Sequence, residues 1–252
     1  MKLPNRQTVE AFQLPEKQDK ADYVRRLFAS IASHYDLLND LMSLGLHRRW
    51  KQMVVDQSGL LTGGSALDIC CGTGDITLAL ARRAGRAGKV VGLDFSPEML
   101  AIARERYERH PPPGSVQFQL GDAQALPFMD ESFDCVTVSY GLRNLADIPA
   151  GLREMRRIVR PGGRMVCLDL GKPRGAVWSR LYRIYFLGIV PHVGGWISGQ
   201  RWAYTYLPHS LADFPAQEGL KALMAETGWQ DIRCLDLFGG IAAIHIGTKP
   251  EP

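Results

Sequence analysis

A chain of 252 residues with 46% hydrophobic content can bury one substantial core, so a single domain is expected. Its net charge of +4 comes from basic residues spread along the chain, too mild a balance to point to nucleic acid and only a weak pull toward an anionic membrane surface. Five cysteines, no apolar run near the ~20 residues that span a bilayer, and the polar start MKLPNRQTVE lead to the expectation of a cytoplasmic protein with buried, reduced thiols.

Residues 1–20 are polar, carry two prolines and are expected to be loosely held. From 22 to 33, Tyr23, Leu27, Ile31 and Ala32 form one apolar helical face, and the segment from Tyr35 to Trp50 leads into a helix ending near Gly59. These elements make an N-terminal helical cap over 21–59. A core over 60–171 follows. Residues 66–70 read as a short buried strand, and Ile76, Leu80 and Ala84 lie at helical spacing just after it. A second strand, 90–94, ends in Asp94, and Ser96-Pro97-Glu98 then supplies a cap, a first-turn proline and an early carboxylate for a helix to about residue 109. Pro111-Pro112-Pro113-Gly114 forces a turn before a third strand, 116–120, which delivers Gly121-Asp122-Ala123. A fourth strand spans 133–139, a helix 148–159, and a fifth strand 165–169, with Pro161-Gly162-Gly163 between the last two. Segment 172–215, rich in aromatic and basic residues, breaks the alternation and reads as an inserted cap. A helix over 218–227 and a terminal hairpin from 232–238 and 241–248 complete the 216–252 portion. Alternating strands and helices imply an α/β fold with a doubly wound, mostly parallel sheet and an antiparallel last strand.

The segment Leu67-Asp68-Ile69-Cys70-Cys71-Gly72-Thr73-Gly74-Asp75 is a strand, a glycine turn and a helix start, with Asp94 twenty residues after Gly74. Glycines there let the backbone reverse and let a ligand approach the helix N-terminus, while an acid at the end of the second strand suits two ribose hydroxyls. The dinucleotide pattern G-x-G-x-x-G is incomplete, because Thr77 stands where the third glycine belongs. Asp68 and Asp75 also flank the turn and would repel a pyrophosphate. A cofactor with a sulfonium, an ammonium and no phosphate fits better, and S-adenosylmethionine has that chemistry. Cys70 and Cys71 are sequence neighbours and make a poor metal pair, so no metal is expected.

Over about residues 60 to 170 this constellation resembles the cofactor site of class I S-adenosylmethionine-dependent methyltransferases, a Rossmann-like fold. The resemblance implies that Gly72, Thr73 and Gly74 hold the methionine portion, Asp94 the ribose, and Asp122 with Ala123 the adenine, with Ser139 beside the methionine. Adenine and cytosine amino methyltransferases usually carry a D/N/S-P-P-Y/F/W tetrapeptide after the fourth strand; here Ser139-Tyr140-Gly141-Leu142 follows instead, so exocyclic-amine methylation is disfavoured. Tyr35-Asp36-Leu37-Leu38-Asn39, Ser43-Leu44-Gly45-Leu46-His47-Arg48-Arg49-Trp50, Tyr140-Gly141-Leu142-Arg143-Asn144 and Tyr206-Leu207-Pro208-His209-Ser210 resemble the ubiquinone and menaquinone biosynthesis C-methyltransferases. The Cys70-Cys71-Gly72-Thr73-Gly74 form and the ending from Gly239 to Gly247 look most like the demethylmenaquinone methyltransferases. The implied reaction is transfer of the sulfonium methyl to a ring carbon of demethylmenaquinol, with a homodimer and transient membrane-surface contact as accompanying expectations. A benzoquinol or another phenol is the alternative acceptor, and a non-catalytic scaffold subunit the alternative outside enzymes. Arg143 is the candidate to stabilise a developing phenolate and Asn144 to orient a ring oxygen, each weighed against a purely structural role at a strand end. His47, His209 and Asp36 are candidate proton acceptors.

Overall fold

The computed structural model describes residues 19–173, 175, 180, 185, 206, 210, 211 and 213–251. Three helices come first: α1 (Lys20–Ile31), α2 (Tyr35–Ser43) and α3 (Leu46–Gln57). The expected helix ending near Gly59 is thus preceded by a separate one. Leu44 and Gly45, both at positive φ, break the chain between them. The alternating core then runs β1 (Ser65–Ile69), α4 (Asp75–Ala84), β2 (Lys89–Asp94), α5 (Pro97–Arg109), β3 (Ser115–Leu120), β4 (Phe133–Ser139), α6 (Ile148–Ile158) and β5 (Val159–Leu170). Helix α7 (Ala216–Glu226) and strands β6 (Gln230–Leu237) and β7 (Ala242–Thr248) complete the described elements.

The seven strands form one sheet in the order β3-β2-β1-β4-β5-β7-β6. Pairs among the first five are parallel, and β7 runs antiparallel to both β5 and β6. Right-handed crossovers on either side of β1 put the reversal of strand order between β1 and β4, which is where such sheets bind ligands. Strand β5 is longer than the sequence suggested. The Pro161-Gly162-Gly163 stretch is absorbed into it as an irregularity, because Gly162 N–H donates to the Lys249 carbonyl and Lys249 N–H to that of Gly163.

Helices cover both faces. Leu152, Met155 and Ile158 of α6 pack with Leu220 and Met224 of α7 on one side, and Trp50 and Val54 of α3 pack with Leu80 and Ala81 of α4 on the other. The expected Ser96 cap is present, its hydroxyl accepting from Met99 N–H at 3.3 Å, and Asp147 caps α6 in the same way, accepting from Ala150 N–H at 2.9 Å. Among the described residues no helix is long and apolar enough to cross a membrane.

Candidate cofactor and acceptor site

The chain leaves β1 through Cys70, Gly72 and Gly74, all at positive φ, and enters α4 at Asp75. At Gly74 a Cβ would lie 3.1 Å from the Ala103 Cβ and 3.2 Å from the Phe118 ring, so the turn sits too close to α5 and β3 for a side chain. Asp94 fastens this turn to the end of β2. Its two carboxylate oxygens accept from Gly72 N–H at 2.8 Å and from Ser96 N–H at 2.9 Å. Burial pushes the Asp94 carboxyl above the usual range, and these backbone donors pull it partly back. Thr77 has its own explanation. Its hydroxyl donates to Asp68 at 2.7 Å, and the close helix-to-strand approach that a third glycine would allow is supplied by Gly92, where a Cβ would meet the Thr77 Oγ1 at 2.8 Å.

Beyond the carboxyl ends of β1, β2 and β4 lies a cavity of about 830 Å³, including the part open to solvent. Gly72, Asp94, Asp122, Ala123 and Ser139 line it together, as do Tyr140, Gly141 and Asn144 from the turn after β4. Ala21, Phe28 and Tyr35 from the N-terminal helices line it too. The Ser139 hydroxyl is buried with no partner among the described residues, so a polar atom faces the cavity. Asp122 uses one oxygen to accept from Gln124 N–H at 2.9 Å. Two carboxylates and a buried hydroxyl, with no arginine or lysine among the described lining residues, suit a nucleoside cation better than a pyrophosphate.

A smaller cavity of about 320 Å³ shares Tyr35, Cys70, Gly72, Ser139 and Tyr140 with the first and adds Asp68, Thr73 and Lys51. Asp68 is 1% exposed and accepts from both Thr77 and Thr137 hydroxyls at 2.7 Å. Burial pushes its carboxyl up to about 6, with the two hydroxyls working against the shift. Burial likewise pushes the Cys70 and Cys71 thiols well up, which favours the protonated form.

On the acceptor side, Tyr140 sits at positive φ, and Gly141 is pressed so near Cys70 that a Cβ would come within 2.4 Å of the cysteine Cβ. The single 3-10 turn Leu142–Asn144 follows. Asn144 donates to the Tyr140 carbonyl at 3.1 Å and accepts from the Tyr206 hydroxyl at 3.2 Å, so its amide is oriented from two sides. Arg143 is not among the described lining residues. It is 8% exposed and donates to Asp169 and to the Tyr140 carbonyl, both at 2.6 Å, with its Nε lacking a partner among the described residues. Lys20 of α1 donates to the carbonyls of Arg143 and Leu145, which clamps the first helix onto this turn.

Two of the candidate proton acceptors, Asp36 and His47, do not line the large cavity. Asp36 accepts from the Thr73 hydroxyl at 3.0 Å and pairs with Arg106, so it braces the glycine turn and does not line the large cavity. His47 is buried between α2 and α3, with Nδ1 at 2.7 Å from the Ser43 hydroxyl and burial lowering its pKa; it too is absent from the lining. His209, with most of 172–215, lies outside the described residues.

A model of the ubiE/COQ5 methyltransferase family matches residues 16–249. The chain belongs to that family. It is 41% identical over 238 residues to the ubiquinone/menaquinone biosynthesis C-methyltransferase UbiE of Cronobacter sakazakii, covering 94% of this chain and 95% of that one. It is 40% identical over 231 residues to the protein of the same name from a Geobacter species, covering 92% and 98%. Among solved structures, a SAM dependent methyltransferase from Aquifex aeolicus superposes with a TM-score of 0.58 at 17% identity, over 78% of this chain and 88% of that one, which speaks for the fold. The ubiE/COQ5 chain is therefore an S-adenosylmethionine-dependent methyltransferase with the Rossmann-like fold expected.

For this ubiE/COQ5 site, sequence reasoning overlooked Gln124, Phe95, Met99 and Phe28 as lining residues. Their only signal is proximity to a strand end or to one face of an amphipathic helix. Lys51 and Asp169 also escaped notice. Each gains its place through a partner 24 or 26 residues away, Asp75 and Arg143 respectively.

Proposed function

We propose that this methyltransferase acts on a polyprenyl quinol in quinone biosynthesis, transferring a methyl to the ring carbon of demethylmenaquinol to give menaquinol. The observation that carries the reading is one cavity lined both by cofactor-type groups, Gly72, Asp94 and Asp122, and by Tyr140, Gly141 and Asn144 of the family-like turn. When bound, S-adenosylmethionine supplies an electrophilic methyl. The acceptor must be the reduced quinol, since an oxidised quinone ring is electron-poor. A new ring-carbon-to-methyl bond forms as the sulfur-to-methyl bond breaks, and one proton is released overall.

Within this reading Asp94 takes the ribose hydroxyls, Asp122 and Ala123 the adenine, and Gly72, Thr73, Gly74, Asp68 and Ser139 the methionine end. Asn144 orients a ring oxygen. Arg143 is a positioning residue: paired with Asp169, it donates to the Tyr140 carbonyl, the oxygen to which Asn144 also donates, and so fixes the amide that would hydrogen-bond a developing phenolate. A phenol of pKa ~10 benefits from such help at neutral pH. Neither Asp36 nor His47 is assigned as a base; alignment of the ring carbon with the methyl supplies much of the rate.

The preference for a naphthoquinol draws support from the Cys70-Cys71-Gly72-Thr73-Gly74 form, while relatives are named for both quinones. Competition between reduced demethylmenaquinone and an unmethylated polyprenyl benzoquinol tests it: a higher kcat/KM for the naphthoquinol is expected, and the reverse order would reassign the acceptor. Contact with a membrane surface draws support from Leu37, Leu41 and Leu44, exposed in and just after α2. Loss of vesicle co-flotation on replacing all three with serine is expected, and unchanged flotation would remove the idea.

A further inference from the structure

Helix α3 belongs to the N-terminal cap, yet it delivers one side chain to the cofactor end of the sheet. Lys51 lines the smaller cavity beside Gly72, Thr73, Asp68 and Ser139. Its side chain is 13% exposed, and among the described residues its one hydrogen bond goes to Asp75 Oδ2 at 2.7 Å. An ammonium has three N–H donors, so two remain. Asp75 does not depend on Lys51 alone, because Arg106 donates to its other oxygen at 2.7 Å.

We propose that Lys51 binds the carboxylate at the methionine end of S-adenosylmethionine, making the N-terminal helices part of the cofactor site. Chemistry at the cavity walls carries this. An α-amino acid is a zwitterion, and the small cavity offers it one ammonium, Lys51, and two carboxylates, the fully buried Asp68 and Asp75, the latter already paired with Lys51 and Arg106. The partnerless Ser139 hydroxyl is a further donor in the same space. With Arg106 on Asp75, the lysine is free to share its charge with an incoming carboxylate without stranding an aspartate. The inference rests on the cofactor and is independent of which quinol is methylated.

The alternative is that Lys51 only ties α3 to α4 through Asp75. Titration calorimetry on the full chain separates the two, using S-adenosylmethionine and its decarboxylated form, which share the sulfonium, the ammonium and the nucleoside. Wild type is expected to prefer the carboxylate-bearing ligand by about tenfold or more, the worth of a charge-assisted hydrogen bond. Lys51→Met should bring that preference to within about twofold of unity, because the lysine and the ligand carboxylate form one side of a double-mutant cycle. Lys51→Arg should retain most of it. A Lys51→Met protein that keeps the wild-type ratio, with both ligands weakened equally or neither weakened, overturns the proposal. If Lys51→Met does not yield folded protein, Lys51→Gln takes its place, with the same ratio expected and the same result overturning the proposal.

Discussion

Replacing Asp68 by asparagine removes a charge that the fold holds at the floor of the cofactor cavity. In the folded protein the carboxyl lies at about 6, against 3.8 for the free group. An acid with a raised folded pKa binds its proton more tightly when folded. Its contribution is therefore favourable only at low pH, is lost as pH rises from 3.8 toward about 6, and is constant above that. Integrating between those two values, burial of the charge lowers stability by about 1 kcal/mol near pH 4.5 and by about 3 kcal/mol near pH 7.5. Asparagine keeps a polar group between Thr77 and Thr137, whose hydroxyls can accept as well as donate, and it does not titrate. Urea unfolding of both proteins across this range should show the variant gaining about 2 kcal/mol on wild type between the two ends. Taking the difference cancels His47 and His245, whose lowered pKa values act in the opposite sense in both proteins. A difference that stays flat, or that shrinks with rising pH, would refute the reasoning. The same variant should bind S-adenosylmethionine about tenfold more weakly, since the cofactor ammonium loses its buried counter-charge.

Asp94→Ala should weaken S-adenosylmethionine binding by at least about tenfold through loss of two ribose acceptors, and an unchanged calorimetric dissociation constant would contradict the ribose assignment. Arg143→Ala strands Asp169, 2% exposed, so a loss of about 3–5 kcal/mol in unfolding free energy is expected; in whatever fraction remains folded, turnover should fall further than cofactor affinity, and wild-type turnover would remove its assigned role. Gly141→Ala drives a methyl into Cys70 and should lower stability by about 1–3 kcal/mol. Adding Cys70→Gly should restore most of that, because glycine also accepts the positive φ at position 70; no rescue would mean that the clash lies elsewhere.

Strand-to-helix alternation made the sheet legible, since β1, β2 and β4 are short, mostly buried apolar runs and the edge strand β3 alternates apolar and polar residues, each closed by a turn signal. The convergence of the glycine turn, Asp94 and Asp122 on one cavity was equally legible, because each lies at or just after a strand end. The start of β5 was not. Pro161-Gly162-Gly163 reads as a break, and only its pairing with the C-terminal segment at Lys249 turns it into a continuation of the strand. The acceptor side was hardest, because side chains there are committed by distant partners. Arg143 reads as a free cation until Asp169 is brought against it, and Asp36 as a free acid until Arg106 and Thr73 arrive. His47 shows the same limit: it lies in a family-like segment and reads as a candidate proton acceptor, yet packing of α2 on α3 buries it.

A single-turnover reaction with methyl-deuterated S-adenosylmethionine and demethylmenaquinone, supplied in reduced and oxidised forms, bears most directly on quinol C-methylation. Mass spectrometry with NMR of the product should show the label on the ring carbon, formed only from the reduced acceptor. Label on a quinol oxygen, or equal product from the oxidised quinone, would contradict it.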